Sequence, residues 1–68
     1  MATYKILELV GTSTESFEEA TRCAVETASK SVRDLRVAEV TKLDVTVEDG
    51  KVKNFRARVN LSFKMEEN

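Results

Sequence analysis

Histidine is absent from the 68-residue chain, and cysteine occurs only once, at Cys23. One cysteine excludes an intrachain disulfide, and without histidine the chain lacks the ligand set of a structural zinc site. A nucleophilic cysteine usually has a base partner, and none is evident in this sequence. We therefore interpret Cys23 as a structural or incidental thiol.

Glycine is scarce as well, with only Gly11 and Gly50 in the sequence. Two isolated glycines do not form the glycine-rich loop that cradles phosphates, and neither a Ser/His/Asp set nor a pair of histidine ligands exists. We expect the protein not to be an enzyme.

Neither sign of charge dominates the chain. The 11 basic and 12 acidic residues give a formal net charge of -1 and form no blocks, which argues against a surface for nucleic acid or membrane. The apolar run at the N-terminus is too short for a signal peptide. An unpaired thiol fits a reducing compartment, so we expect a cytoplasmic protein.

The length of the chain allows one domain, which we assign to residues 1–68. A domain of this size buries only about 60% of the surface of its unfolded chain. Because a disulfide and a zinc site are excluded, oligomerisation is the remaining common source of stability. The sequence therefore favours assembly with copies of itself.

The clearest pattern is a hairpin over residues 35–66, folded on the dipeptide Asp49-Gly50. Asp-Gly between alternating apolar runs indicates a type I′ turn, which needs positive φ at both central residues. After the turn every second residue is apolar and the intervening ones are polar, so one face of this strand must be covered. The apolar positions are Phe55, Ala57, Val59, Leu61, Phe63 and Met65.

A helix precedes the hairpin. Ser16 with Glu19 matches a capping box, and Thr12 with Glu15 has the same spacing, so two helix starts are open. Apolar residues at spacings of three and four predict a helix of roughly four to five turns. They are Phe17, Ala20, Ala24, Val25, Ala28, Val32 and Leu35.

Residues 3–10 predict a first strand that ends at Gly11, where a turn begins. The order strand, helix, strand, strand predicts an α+β fold. We expect a β-α-β-β protomer in which a three-stranded antiparallel sheet wraps around one helix. The third strand belongs in the middle because its alternation is the strongest.

Counting back from the turn without a bulge predicts the cross-strand pairs that lie beneath the helix. They are Val40–Val59, Ala38–Leu61 and Lys42–Ala57. The other face of strand two then carries a half-apolar row, formed by Val37, Glu39, Thr41, Leu43, Val45 and Val47. Strands of about 13 residues span roughly 43 Å, whereas a helix of about 16 residues covers only ~24 Å. The overhanging strands favour burial by other copies.

Several short sequence motifs, by their order along the chain, resemble those of the dodecin family, and the resemblance covers nearly the whole chain. They are Tyr4-Lys5, Glu8-Leu9-Val10-Gly11-Thr12-Ser13, Ser16-Phe17-Glu18-Glu19-Ala20, Ala38-Glu39-Val40 and Ser62-Phe63-Lys64-Met65-Glu66. The resemblance implies a protomer that assembles into a hollow dodecamer and usually stores or sequesters flavin without turnover.

The chain departs from the family at the flavin positions. In flavin-binding members, isoalloxazine rings stack between tryptophans and are held by a glutamine and by an arginine of strand two. By that resemblance Val37 stands in place of the tryptophan, Asp44 in place of the arginine and Arg56 in place of the glutamine. Valine offers no plane for stacking, so we expect an impaired flavin clamp. The Arg36-Val37-Ala38 pattern resembles a branch of which some members are associated with calcium.

The sequence leaves four functions open. The leading hypothesis is a non-enzymatic homododecamer that binds or stores a small ligand. The second is a calcium-binding shell, in which Asp44, with Glu48 and Asp49 further along the strand and turn, supplies oxygen ligands to the ion. The others are flavin storage with an altered site and a structural assembly without a ligand.

Arg56 and Arg58 point to the same side of strand three. With Thr41 and Asn60 they are candidates for gripping either an anionic ligand or the carboxylates of a neighbouring subunit.

Overall fold

The computed structural model describes residues 1–65, so Glu66 at the predicted end of the hairpin lies outside the described residues. The elements are β1 (Tyr4–Ser13), α1 (Phe17–Ser29), β2 (Leu35–Glu48) and β3 (Lys51–Lys64). The strands form one antiparallel sheet in the order β1-β3-β2, and α1 lies on one face of it. The predicted fold class, with β3 in the middle, is confirmed. Among residues 1–65, no helix has the length and apolar character needed to cross a membrane.

Helix α1 begins where the capping pattern at Ser16 predicted. The Ser16 side chain accepts a hydrogen bond from the backbone N–H of Glu19 at 3.0 Å. The reciprocal half of the box is not formed, because the Glu19 carboxylate binds Arg22 at 2.6 Å. At 13 residues the helix is shorter than predicted. The apolar spacing runs on past the helix end into the connection and the start of β2.

Strand β1 does not end at Gly11, so the turn predicted there is wrong. Gly11 is buried and pairs with Ala57 of β3, and the strand continues to Ser13. A Cβ atom at Gly11 would overlap the carbonyl oxygen of Ala20. The glycine therefore permits close packing between β1 and the helix.

The core is a thin layer between α1 and the sheet. Its buried residues are Ala20, Ala24, Ala28, Ala57, Val59 and Leu61. The predicted alternation of β3 is confirmed at Ala57, Val59 and Leu61, which are fully buried, whereas Met65 follows the end of the strand and is 43% exposed. Phe55 is only half-buried at the end of this row, where its ring packs edge-to-face on Phe17 with centroids 5.1 Å apart.

The β2–β3 hairpin turns on Asp49 and Gly50, and both have positive φ, at 52° and 75°. This confirms the predicted turn. The pairs Val40–Val59 and Ala38–Leu61 are also confirmed.

The predicted pair Lys42–Ala57 is wrong. Two register shifts, one between Thr46 and Val47 and one between Val40 and Lys42, bound a segment in which Lys42 pairs with Arg58 and Leu43 pairs with Ala57. The first leaves Lys53 as an extra residue in β3. The second leaves Thr41 as an extra residue in β2 and restores the predicted register at Val40–Val59. Such a β-bulge exchanges the two faces of the strand beyond it.

Beyond the bulge, the side chains of β2 therefore lie on the faces opposite to those predicted. Leu43 and Val45 share the helix side of the sheet with their partners Ala57 and Phe55. Helix α1 packs on β1 and β3 and hardly reaches β2. An apolar row on the helix side of β2 is left exposed by 37 to 64%. We call it the β2 apolar strip, and it consists of Val40, Leu43, Val45 and Val47.

The two glycines give a matched test of this packing. We expect Gly11→Ala to lower the free energy of unfolding by about 3 kcal/mol or more, because the new methyl group collides with helix backbone. Gly50→Ala meets no atom within 4 Å and adds only the strain of positive φ, about 1–2 kcal/mol. Urea unfolding measures both variants. An equal or smaller loss for Gly11→Ala would contradict the close helix contact.

Candidate functional site

The candidate site lies on the outer face, by which we mean the sheet face opposite α1. The bulge at Thr41 places Asp44 on this face, directly across from Arg56. Arg56 Nε donates to Asp44 Oδ1 at 2.7 Å, and Arg56 Nη2 donates to Oδ2 at 2.9 Å. Both carboxylate oxygens of Asp44 are thus occupied by one planar guanidinium, a geometry that only arginine provides.

This pair shifts the pKa of both partners. The hydrogen bond from Arg56 lowers the pKa of Asp44 below its ordinary value, and the more distant charge of Arg58 adds a smaller lowering. The same hydrogen bond raises the pKa of Arg56. Asp44 is exposed and Arg56 is only half-buried, so the pair adds little to folding stability. Because the folded-state pKa of Asp44 is depressed, that contribution is present near neutral pH and is lost as the pH falls through the folded-state pKa.

Val37 also lies on the outer face, where it pairs with Ser62 and is 56% exposed. The pairs Glu39–Asn60 and Lys42–Arg58 separate it from the pair Asp44–Arg56. The structure thus brings together Asp44 and Arg56 but leaves Val37 three rows away. Sequence reasoning missed the contact between Asp44 and Arg56, because without the bulge these residues are not opposite each other.

Two of the predicted cation ligands, Asp44 and Glu48, are already paired. Asp44 is bound by Arg56, and the Glu48 carboxylate is 2.6 Å from Lys53 Nζ. Among the residues that the structure describes, no group of three or more His, Cys, Asp or Glu side chains is placed to hold a metal ion. An ion at Asp44 and Glu48 stays a prediction.

The residues predicted to bind an anionic ligand do not act as one group in the structure. Arg56 is engaged by Asp44, whereas Arg58 makes no ion pair within residues 1–65. The Thr41 hydroxyl donates to the backbone carbonyl oxygen of Arg58 at 3.2 Å. Lys42, which the sequence placed beneath the helix, is the neighbour of Arg58 instead.

Comparisons with known proteins cover nearly the whole chain. The family model described as Dodecin matches residues 3–66. Calcium dodecin of Mycobacterium tuberculosis is 40% identical over 65 residues, which is 96% of this chain and 92% of that protein. Dodecin of Thermus thermophilus is 38% identical over 64 residues, covering 94% and 93%.

Solved structures agree with the sequence relatives. Dodecin from Streptomyces coelicolor matches with a TM-score of 0.93 at 39% identity, covering 98% of this chain and 96% of that one. The structure of the M. tuberculosis calcium dodecin, described as calcium chelating with a novel calcium-binding site, matches with a TM-score of 0.84 at 42% identity. It covers 94% of this chain and 91% of the other.

The pKa of Asp44 tests the site geometry. We expect Arg56→Gln to raise this pKa, because it removes the hydrogen bond that is the largest cause of the lowering. Arg58→Gln is the matched control and is expected to raise it less, because Arg58 acts only through its charge. Carbon NMR of the Asp44 carboxyl group during an acid titration measures both. Equal effects of the two variants would contradict the bidentate pair.

Proposed function

This chain belongs to the dodecin family, and from that premise we propose that it binds or stores a small ligand, without catalysis, in a homododecamer whose flavin clamp is impaired. We propose further that residues 1–68 form one domain and act in the cytoplasm. The observation that carries the assembly is the β2 apolar strip. It is exposed in the protomer, although it lies on the same side of the sheet as the core.

Leaving the β2 apolar strip in contact with water is unfavourable in free energy, and this supports assembly. Burying apolar surface is worth about 25 cal/mol per Å², and residues 1–65 contain no second helix that could cover β2. The hairpin strands are 14 residues long and the protomer is 53 Å in its longest dimension. A helix of 13 residues reaches only ~20 Å along it. In the proposed homododecamer, other copies of the chain cover the β2 apolar strip.

A charge placed in the strip tests the assembly. We expect Val45→Lys to dissociate the oligomer, because a buried ammonium without a partner is costly. Cys23→Lys adds the same charge on an exposed position of α1 and is the matched control. Size-exclusion chromatography with light scattering measures the mass of each variant. If Val45→Lys keeps the mass of the parent protein, the strip is not an interface.

The proposed impairment of the flavin clamp rests on two side chains of the outer face. Val37 has no aromatic plane for a ring to stack on. Asp44 is bound by Arg56, which reduces the ability of that guanidinium to donate to a ligand. Stacking on an aromatic side chain is worth about 1–3 kcal/mol per ring by analogy with nucleic-acid bases.

Restoring the aromatic plane is the direct test. We expect Val37→Trp to tighten riboflavin binding by about 5- to 150-fold, the equivalent of that stacking energy. Val37→Leu changes the size without adding a plane and is the control. Quenching of flavin fluorescence measures the affinity. If the parent protein binds riboflavin as tightly as Val37→Trp, the proposed impairment is refuted and flavin storage with an altered site stands.

A divalent cation is the second candidate ligand. It is favoured by the carboxylates of Asp44 and Glu48 on β2 and by the 40% identity to a protein named calcium dodecin. Since Asp44 is held by Arg56, a cation bound to its carboxylate must displace the guanidinium or share the oxygens with it. Additional oxygen ligands must come from other copies or from water, because Ca²⁺ takes six to eight.

Calorimetric titration with Ca²⁺ tests this candidate. We expect Asp44→Asn to abolish the binding heat, and Arg56→Gln to strengthen binding because it frees the carboxylate. Glu26→Gln removes an exposed carboxylate of α1 that is not a candidate ligand and serves as the control. An absence of heat in both the parent protein and Arg56→Gln would refute a calcium site at Asp44. If the parent also fails to bind riboflavin, a structural assembly without a small ligand is the remaining reading.

A further inference from the structure

Two cations face each other across the outer face of the sheet. Lys42 of β2 and Arg58 of β3 are direct cross-strand partners. Side chains at such positions have Cβ atoms about 4.5–5.5 Å apart, and like charges there repel and destabilise the sheet. The pair is therefore unfavourable unless a negative charge compensates it.

The described part of the chain does not supply that negative charge. Asp44 is the next acidic residue along β2, and Arg56 binds both of its oxygens. Arg58 acts on Asp44 only at longer range. Glu8 and Glu39 flank Asn60 in the neighbouring row, yet neither forms an ion pair with Lys42 or Arg58.

A β-bulge in β2 helps to bring these two cations together. If one register ran unbroken from the pair Val40–Val59 to the pair Val47–Val52, Lys42 would be opposite Ala57 on the helix side of the sheet, away from Arg58. The bulge turns Lys42 to the outer face, and the Thr41 hydroxyl ties the bulge to the carbonyl oxygen of Arg58 at 3.2 Å. Arg58 is half-buried while Lys42 is exposed, so the guanidinium is the more fixed member of the pair.

We propose that Lys42 and Arg58 form a binding site for a phosphate group. A guanidinium binds two oxygens of a phosphate in one plane, and an ammonium adds a compact positive charge beside it. A phosphate dianion neutralises both cations, which relieves their repulsion. The site uses neither Val37 nor Asp44, so it stands independently of the flavin and calcium proposals.

Titration of the assembled protein with inorganic phosphate tests the site. We expect thermal unfolding to occur at a higher temperature in phosphate than in chloride at equal ionic strength. Lys42→Gln is expected to weaken phosphate binding by about tenfold or more, the effect of losing one charged hydrogen bond. Lys51→Gln removes the same charge beside the hairpin turn and should leave binding unchanged. Equal unfolding temperatures in both salts, or equal phosphate affinity of Lys42→Gln and the parent, would overturn the site.

Charge reversal provides a second variant that does not depend on binding. Lys42→Glu creates an ion pair with Arg58, and we expect it to raise the unfolding temperature in chloride and to abolish the response to phosphate. A lower unfolding temperature in chloride would mean that the two cations are already compensated, and the proposal would fail.

A comparison of inorganic phosphate with glycerol phosphate identifies the source of the group. Tighter binding of the ester supports an organic phosphate, and equal binding supports the free ion. A change in oligomer mass for Lys42→Glu, with phosphate affinity unaltered, would instead assign the pair to a carboxylate of another copy and overturn the proposal.

Discussion

The structure depends on one constraint, which is that a single helix with an alanine-rich face must cover a sheet much longer than itself. The small side chains of Ala20, Ala24 and Ala28, together with Gly11, let α1 approach β1 and β3 closely. This contact buries Val59 and Leu61 completely. It leaves most of the helix side of β2 uncovered, so within residues 1–65 the β2 apolar strip stays exposed.

The bulge at Thr41 is the second determinant, and it acts on function more than on stability. Together with the extra residue Lys53 in β3, it displaces the register so that Leu43 and Val45 lie on the helix side, where they extend the β2 apolar strip. The same displaced register turns Lys42 and Asp44 outward, opposite Arg58 and Arg56. The interface proposed for assembly and the charged surface proposed for ligands therefore have a common origin in the backbone.

Local signals in the sequence predicted most of the fold. The Asp49-Gly50 turn, the Ser16 cap and the alternation of β3 each depend on residues near one another in the chain, and each is confirmed. The bulge could not be predicted in this way, because β2 has apolar residues at both odd and even positions and either register buries some of them. The role of Gly11 was also hidden, since it depends on where the helix crosses β1. The candidate site depends on the same register, so the pairing of Asp44 with Arg56 could not be predicted from the sequence either.

The mass of the parent protein in solution tests the central claim most directly. If copies of the chain cover what α1 leaves exposed, native mass spectrometry at micromolar concentration will find a dodecamer and no appreciable protomer. A stable monomer under those conditions would contradict the account, because the β2 apolar strip would then persist in water and the proposed shell would not exist.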